Sequence, residues 1–200
     1  MLILDVSGSM KGEKIAHLQS GLRTLKRELM NDPIALRRVD VAVITFGGLP
    51  HLVHNFSNID DFDVPELVAE YSTPMGAAVT YGLDLMATRQ LEYQRAGIPF
   101  LKPIYLMITD GEPTDEVRDA ARRIQDLEED RKGSFFAVGV DEADMDLLDE
   151  LSVRKALKLR DLDFNGLFKW LSKSMTALSK STDGIVQLDD PTTPQGWATF

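Results

Sequence analysis

The sequence predicts a three-layer α/β fold: a doubly wound, mostly parallel sheet with helices on both faces and one antiparallel edge strand. Three observations predict it. Residues 39–46, 103–109 and 134–140 are apolar, β-branched runs bounded by turn-forming residues. They do not alternate with polar positions, so they read as strands covered on both faces. Between the runs lie apolar stripes at spacings of three and four, which read as the buried sides of helices.

Taken in order, Met1-Leu2-Ile3-Leu4 makes a short first strand that ends on Asp5. Ile15, Leu18, Leu22, Leu25 and Leu29 mark the first helix, and residues 39–46 the second strand. A Gly47-Gly48-Leu49-Pro50 turn then leads to residues 52–56, placed as the antiparallel edge. Pro74 stands at a favoured first-turn position for the next helix. After the strand at 103–109, Val117, Ala121, Ile124 and Leu127 form a stripe, with Arg, Asp and Glu on the opposite face. The acidic run from Asp141 to Asp146 reads as a solvated helix start, favoured by the helix dipole. Phe164, Leu167, Phe168, Leu171, Met175 and Leu178 make the last stripe, which is core rather than a cofactor box. Strand–helix alternation of this kind gives a Rossmann-like sheet. One domain is expected over 1–188 and a loose tail over 189–200, with Trp197 and Phe200 able to fold back.

At 200 residues the chain can bury roughly 70% of its unfolded surface, so it needs no staples. The net charge of −10 argues against nucleic-acid binding, which needs a basic surface. The chain has no cysteine, which leaves no disulfide framework and no thiolate metal site. No run approaches the roughly 18 apolar residues of a membrane span, and no signal-peptide core precedes Asp5. The expected location is the cytoplasm.

The informative stretch is Asp5-Val6-Ser7-Gly8-Ser9-Met10. It places one carboxylate and two hydroxyls in the turn after a strand, at the sheet edge where doubly wound folds bind ligands. Ile108-Thr109-Asp110-Gly111 ends a second buried strand with a carboxylate, and Gly111 is expected to allow a sharp turn. A third loop, Tyr71-Ser72-Thr73-Pro74-Met75-Gly76, offers a hydroxyl just before a helix. All these donors are hard oxygens, suited to Mg²⁺ rather than zinc or copper.

Together, Asp5-Val6-Ser7-Gly8-Ser9, Thr73-Pro74-Met75-Gly76 and Thr109-Asp110-Gly111 resemble the metal-ion-dependent adhesion site of von Willebrand factor A domains. The three elements occur in the family's order, and the resemblance covers almost the whole chain. Within the family it is closest to bacterial TerY-like proteins, associated with tellurium resistance and stress response. Val43-Ile44-Thr45-Phe46, the run from Thr109 to Asp115 and the run from Phe168 to Ser174 carry that similarity.

The resemblance implies a metal set of Asp5, Ser7, Ser9, Thr73 and Asp110. Ser7, Ser9 and Thr73 would give hydroxyls, while Asp5 and Asp110 would act mainly through coordinated water. It implies Mg²⁺, with Mn²⁺ and Ca²⁺ as alternatives, and an ion left electrophilic enough to take an Asp or Glu from a partner protein. By the same resemblance, kinase- or phosphatase-like and other stress-response proteins are the expected partners. Glu112, Thr114 and Asp115 border the presumed metal face, where they either cap the next helix or tune partner choice; Met10, Glu112 and Thr114 are the expected partner contacts.

Blander readings stand beside these. Ser7, Ser9 and Thr73 are also ordinary helix-cap residues. Gly8-Ser9-Met10-Lys11-Gly12-Glu13-Lys14 faintly resembles a phosphate-binding loop, but its glycine spacing is one short and no Ser or Thr follows Lys14. His17, His51 and His54 lack companions at zinc spacing, and residues 141–146 lack the EF-hand pattern. The function expected is a metal-dependent protein-interaction module, not an enzyme. The alternatives are a metal-assisted phosphoesterase, for which no nucleophile or general acid is evident, and a metal-independent scaffold.

Overall fold

The computed structural model describes residues 1–181, 186 and 188–200. Among these residues seven strands form one sheet in the order β3-β2-β1-β4-β5-β6-β7. They are β1 (Leu2–Asp5), β2 (Asp40–Gly47), β3 (Leu49–Asn58), β4 (Ile104–Thr109), β5 (Ser134–Gly139), β6 (Leu157–Leu159) and β7 (Ala198–Thr199). β1 is central and parallel to both neighbours, with Ile3 opposite Ile44 on one side and Met107 on the other. Pairing stays parallel through β5 and β6, whereas β3 and β7 close the two edges antiparallel. The chain leaves β1 toward β2 and later returns on its other side as β4. The crevice therefore opens between the carboxyl ends of β1 and β4.

Among the described residues six α-helices cover the sheet: α1 (Glu13–Met30), α2 (Ala35–Arg38), α3 (Met75–Arg95), α4 (Arg118–Glu129), α5 (Met145–Leu151) and α6 (Phe164–Lys180). Alternate strand residues feed two cores. Leu2, Leu4, Val43 and Leu106 pack with Leu18, Leu22 and Leu25 of α1 and Phe168 and Leu171 of α6. Ile3, Ile44, Tyr105 and Met107 pack with Ala78 and Val79 of α3 and Ile124 of α4. Burial on both faces explains why the strand sequences do not alternate. α1 and α6 approach closely at Gly21, where a Cβ would stand 2.5 Å from a Phe168 ring carbon and 3.0 Å from Phe164 Cβ.

Two elements differ from the sequence expectation. The edge placed at 52–56 runs the full ten residues of β3, with a register irregularity opposite residues 41–44. The C-terminal segment, expected as a loose tail, supplies β7 and a second antiparallel edge. Its anchor is Trp197, which is buried 5.5 Å from the Trp170 ring, while Trp170 Nε1 donates to the Asp189 carbonyl at 2.8 Å. Phe200 stays exposed beyond it. A three-residue β6 gives little periodicity to read, and its outer edge would be unpaired without this return. The acidic run does open a helix: Asp144 caps α5 by accepting from Leu147 N at 3.0 Å.

Candidate site at the carboxyl end of the sheet

Asp5 ends β1 and is wholly buried. Its two oxygens have separate holders. Ser7 N donates to Oδ1 at 2.7 Å, an intraloop bond that shapes the turn, and Thr109 Oγ1 donates to Oδ2 at 2.5 Å across the β1–β4 seam. Burial pushes the Asp5 carboxyl above the usual carboxylate range. The bonds from Ser7 and Thr109 pull it down, and the nearby charge of Asp110 adds to the rise.

The following loop turns as a short 3₁₀ segment over Gly8–Met10. That turn brings Ser7 Oγ within 3.0 Å of Ser9 Oγ, and Ser9 Oγ donates to Asp110 Oδ1 at 2.6 Å. Neither serine hydroxyl caps a helix. The second Asp110 oxygen accepts from Lys14 Nζ in the first turn of α1. Lys14 also lies 3.7 Å from Asp141 Oδ2, just past β5. Partial burial works against the ammonium, but the bond to Asp110 and the charges of Asp110 and Asp141 outweigh it and hold Lys14 above the ordinary lysine range.

The third loop is tied down by its backbone. Gly8 N donates to Tyr71 O at 3.0 Å, Gly48 N to Ser72 O at 3.0 Å, and Thr114 N to Thr73 O at 2.9 Å. These bonds hold Tyr71 in the left-handed region at φ 66° with its ring exposed. Such conformations cost about 1–2 kcal/mol in a non-glycine residue. Thr73 is not the cap of α3. The cap position falls on Pro74, and the free amides of Gly76 and Ala77 are taken by the Asp115 carboxylate at 3.0 and 2.8 Å. Among the described residues no hydrogen bond engages the Thr73 hydroxyl, and it stands beside Ser9. A Cβ on Gly111 would lie 3.5 Å from Thr73 Oγ1 and 3.6 Å from Ser9 Oγ.

Gly111 stands in the bend that leaves β4, as expected, without a left-handed backbone. Its usefulness is spatial, because any side chain there would begin inside the hydroxyl cluster. Met10 needs a correction. Expected on the partner face, it is wholly buried in the α1–α6 core, because the 3₁₀ turn that presents Ser9 rotates the next side chain inward. Glu112 and Thr114 are exposed beside the site. Lys14 and Asp141 join the site from positions that the motifs do not mark, and Asp115, expected at its border, joins by holding the start of α3. Lys14 carries a signal of its own: it lies in the first turn of α1, five residues after Ser9, and is opposite in charge to Asp110.

The five oxygen-bearing residues thus converge from three loops at the topological switch point. Among the described residues, no group of three or more His, Cys, Asp or Glu is placed to hold a metal. The cluster carries two carboxylates and three hydroxyls instead, a donor set of hard oxygens that fits Mg²⁺, Mn²⁺ or Ca²⁺ and not a soft ion. The histidines lie elsewhere: His17 is beside the Leu162 carbonyl, His54 bonds Ser57, and His51 sits on β3 opposite Thr45.

Comparison with known proteins agrees with this architecture. The model of the von Willebrand factor type A domain matches residues 1–169. Among solved structures, proximal thread matrix protein 1 from the mussel byssus is similar with a TM-score of 0.60 and 14% identity, over 87% of this chain and 46% of that one. The ArnB paralog VWA2 of Sulfolobus acidocaldarius is similar with a TM-score of 0.56 and 17% identity, over 86% of this chain and 43% of that one. The VWA domain of SpRpn10 gives 0.55 and 10%, over 79% and 84%. This chain spans less than half the length of the first two, and at these identities the likeness is one of fold. No curated protein matches the sequence. Among the described residues, no helix is long and apolar enough to cross a membrane. With a family match over most of its length and a matching sheet, the chain belongs to the von Willebrand factor type A domain family, whose members commonly serve as protein-interaction modules.

Proposed function

We propose that this domain grips a partner protein through one divalent cation held by Asp5, Ser7, Ser9, Thr73 and Asp110, in the manner of a metal-ion-dependent adhesion site. One observation carries the reading: oxygens from three separate loops converge at the carboxyl ends of β1 and β4, with the Ser7, Ser9 and Asp110 atoms linked at 3.0 and 2.6 Å. Mg²⁺ is the first choice of ion, with Mn²⁺ and Ca²⁺ as alternatives. When bound, the ion would supply an electrophilic point for a partner's Asp or Glu carboxylate. The protein's own residues do the rest. Thr109 and the Ser7 amide fix Asp5, Asp115 fixes the start of α3 and with it the Thr73 loop, and Gly111 keeps the approach open.

The rim suits a protein partner. Tyr71 is 76% exposed and Leu49, beside the Gly48 over which Tyr71 packs, is 71% exposed, while Glu112 and Thr114 give polar contacts on another side. We place the domain, by its TerY-like motifs, in a bacterial cytoplasmic stress-response system of the tellurium-resistance type, beside kinase- or phosphatase-like proteins. A binding role rather than catalysis is favoured because the Ser7 and Ser9 hydroxyls engage each other and Asp110, while His17 and His54 bond away from the cluster and His51 sits on β3 opposite Thr45.

The test is binding of a short Asp- or Glu-containing peptide to the protein in Mg²⁺ and in chelator, with the matching Asn or Gln peptide as control. Binding that needs both the ion and the carboxylate supports the reading. Binding that is indifferent to chelator favours a metal-independent scaffold. Hydrolysis of a phosphoester that disappears with Asp5→Ala would favour an enzyme.

A further inference from the structure

We propose that Lys14 is a resident counter-cation of this site, and that by holding Asp110 it sets how tightly the site takes a divalent ion. The inference rests on the metal-binding reading above and goes beyond it, because Lys14 belongs to none of the three motif elements.

The Asp110 side chain is fully inaccessible, and both of its oxygens are engaged, one by Ser9 and the other by Lys14. A divalent ion drawing on Asp110, directly or through water, must contend with an ammonium already bonded to that carboxylate. Repulsion between two cations at such range is strong where water is largely excluded. Screening by salt is weak for the same reason, since the Lys14 side chain is only 23% exposed.

The position of Lys14 makes a purely local explanation poor. It stands in the first turn of α1, the positive end of the helix dipole, where an acidic residue is favoured and a cation is not. Its neighbours Lys11 and Glu13 are exposed, whereas the Lys14 side chain reaches inward to Asp110. The acids beyond β4 and β5 are therefore what hold it there. Asp141 provides the second half of the device. At 3.7 Å and 43% exposed, it offers the ammonium an alternative partner nearer to solvent. Entry of a divalent ion then transfers Lys14 from Asp110 toward Asp141, and loss of the ion returns it. The metal-free protein keeps its buried carboxylate paired at all times, at the expense of affinity for the ion.

Calorimetric titration of MgCl₂ into chelator-stripped protein tests this, comparing the parent with Lys14→Met, Lys14→Gln and Lys14→Arg. Circular dichroism of each metal-free variant reports folding. The charge-removing variants are expected to bind Mg²⁺ tighter by on the order of tenfold, while their metal-free forms melt lower. Lys14→Arg keeps the charge and should stay near the parent. Mg²⁺ binding seen in Lys14→Met or Lys14→Gln but not in the parent also supports the inference. A parent that binds Mg²⁺, with Met and Gln variants that bind it equally or more weakly, overturns it and leaves the metal reading intact. Absence of binding in the parent and in both uncharged variants overturns both.

Discussion

Ser9 Oγ donates to Asp110 Oδ1 at 2.6 Å, joining the loop after β1 to the loop after β4 across 101 residues of sequence. Ser9 is exposed and belongs to no regular helix cap, so its bond serves the site more than the fold. Ser9→Ala should cost the metal-free protein about 1–3 kcal/mol, because it leaves an inaccessible carboxylate oxygen without its donor. The same variant should lose most of its stabilisation by Mg²⁺. Paired thermal melts with and without the ion check both halves.

Thr109→Val asks more of the fold. Thr109 and Asp5 are wholly buried, and Val keeps the shape while removing the donor to Asp5 Oδ2. Leaving that carboxylate short of a partner should cost about 1.5–3 kcal/mol, and Thr109→Ser should recover most of it. In a chain of this size each kcal/mol moves the melting point by about 2–4 °C.

Gly21→Ala separates packing from helix propensity. On an exposed helix the change would stabilise by up to about 1 kcal/mol. Here the new methyl meets a buried Phe168 ring at 2.5 Å, so overpacking of about 1–3 kcal/mol should win. Denaturant unfolding should show a lower midpoint with an unchanged slope.

His54 predicts a pH dependence away from the site. Burial lowers its affinity for a proton below the ordinary value of 6.5. Lys26 acts the same way, and Asp63 opposes them. A histidine depressed in the folded state favours folding fully above the unfolded value. That contribution is lost as pH falls from about 6.5 through the folded value, because the unfolded chain then takes up the proton more readily. Stability measured across that window should decline with acidity in the parent, and less steeply in His54→Gln.

Most of the fold was legible because periodicity carries it. Leu18, Leu22 and Leu25 announce α1, and Ile104 to Thr109, buried throughout, read as a central strand. The clustering of the candidate residues was legible where chemistry and strand ends coincide, as at Asp5, Ser7, Ser9 and Asp110. What sequence could not give was set by tertiary return. β6 has three residues and β7 two, too short for a period, and Trp197 is buried only because Trp170 and β6 wait for it. Met10 misled because adjacency to Ser9 along the chain says nothing of the 3₁₀ turn that separates their directions. Lys14 and Asp141 escaped for a related reason: each reaches the site through space from an element whose own pattern has another explanation.

The central claim is that the oxygen cluster at the β1–β4 crevice holds a divalent ion in the folded protein. Chelator-stripped protein should be melted with and without millimolar Mg²⁺, Mn²⁺ and Ca²⁺, beside Ser9→Ala and Asp110→Ala. An ion that binds only the folded state stabilises it by about 2.7 kcal/mol at a hundredfold excess over its dissociation constant. The account predicts a rise of that order in the parent and its loss in both variants. An unchanged melting point with all three ions, or a rise that survives in both variants, would contradict it.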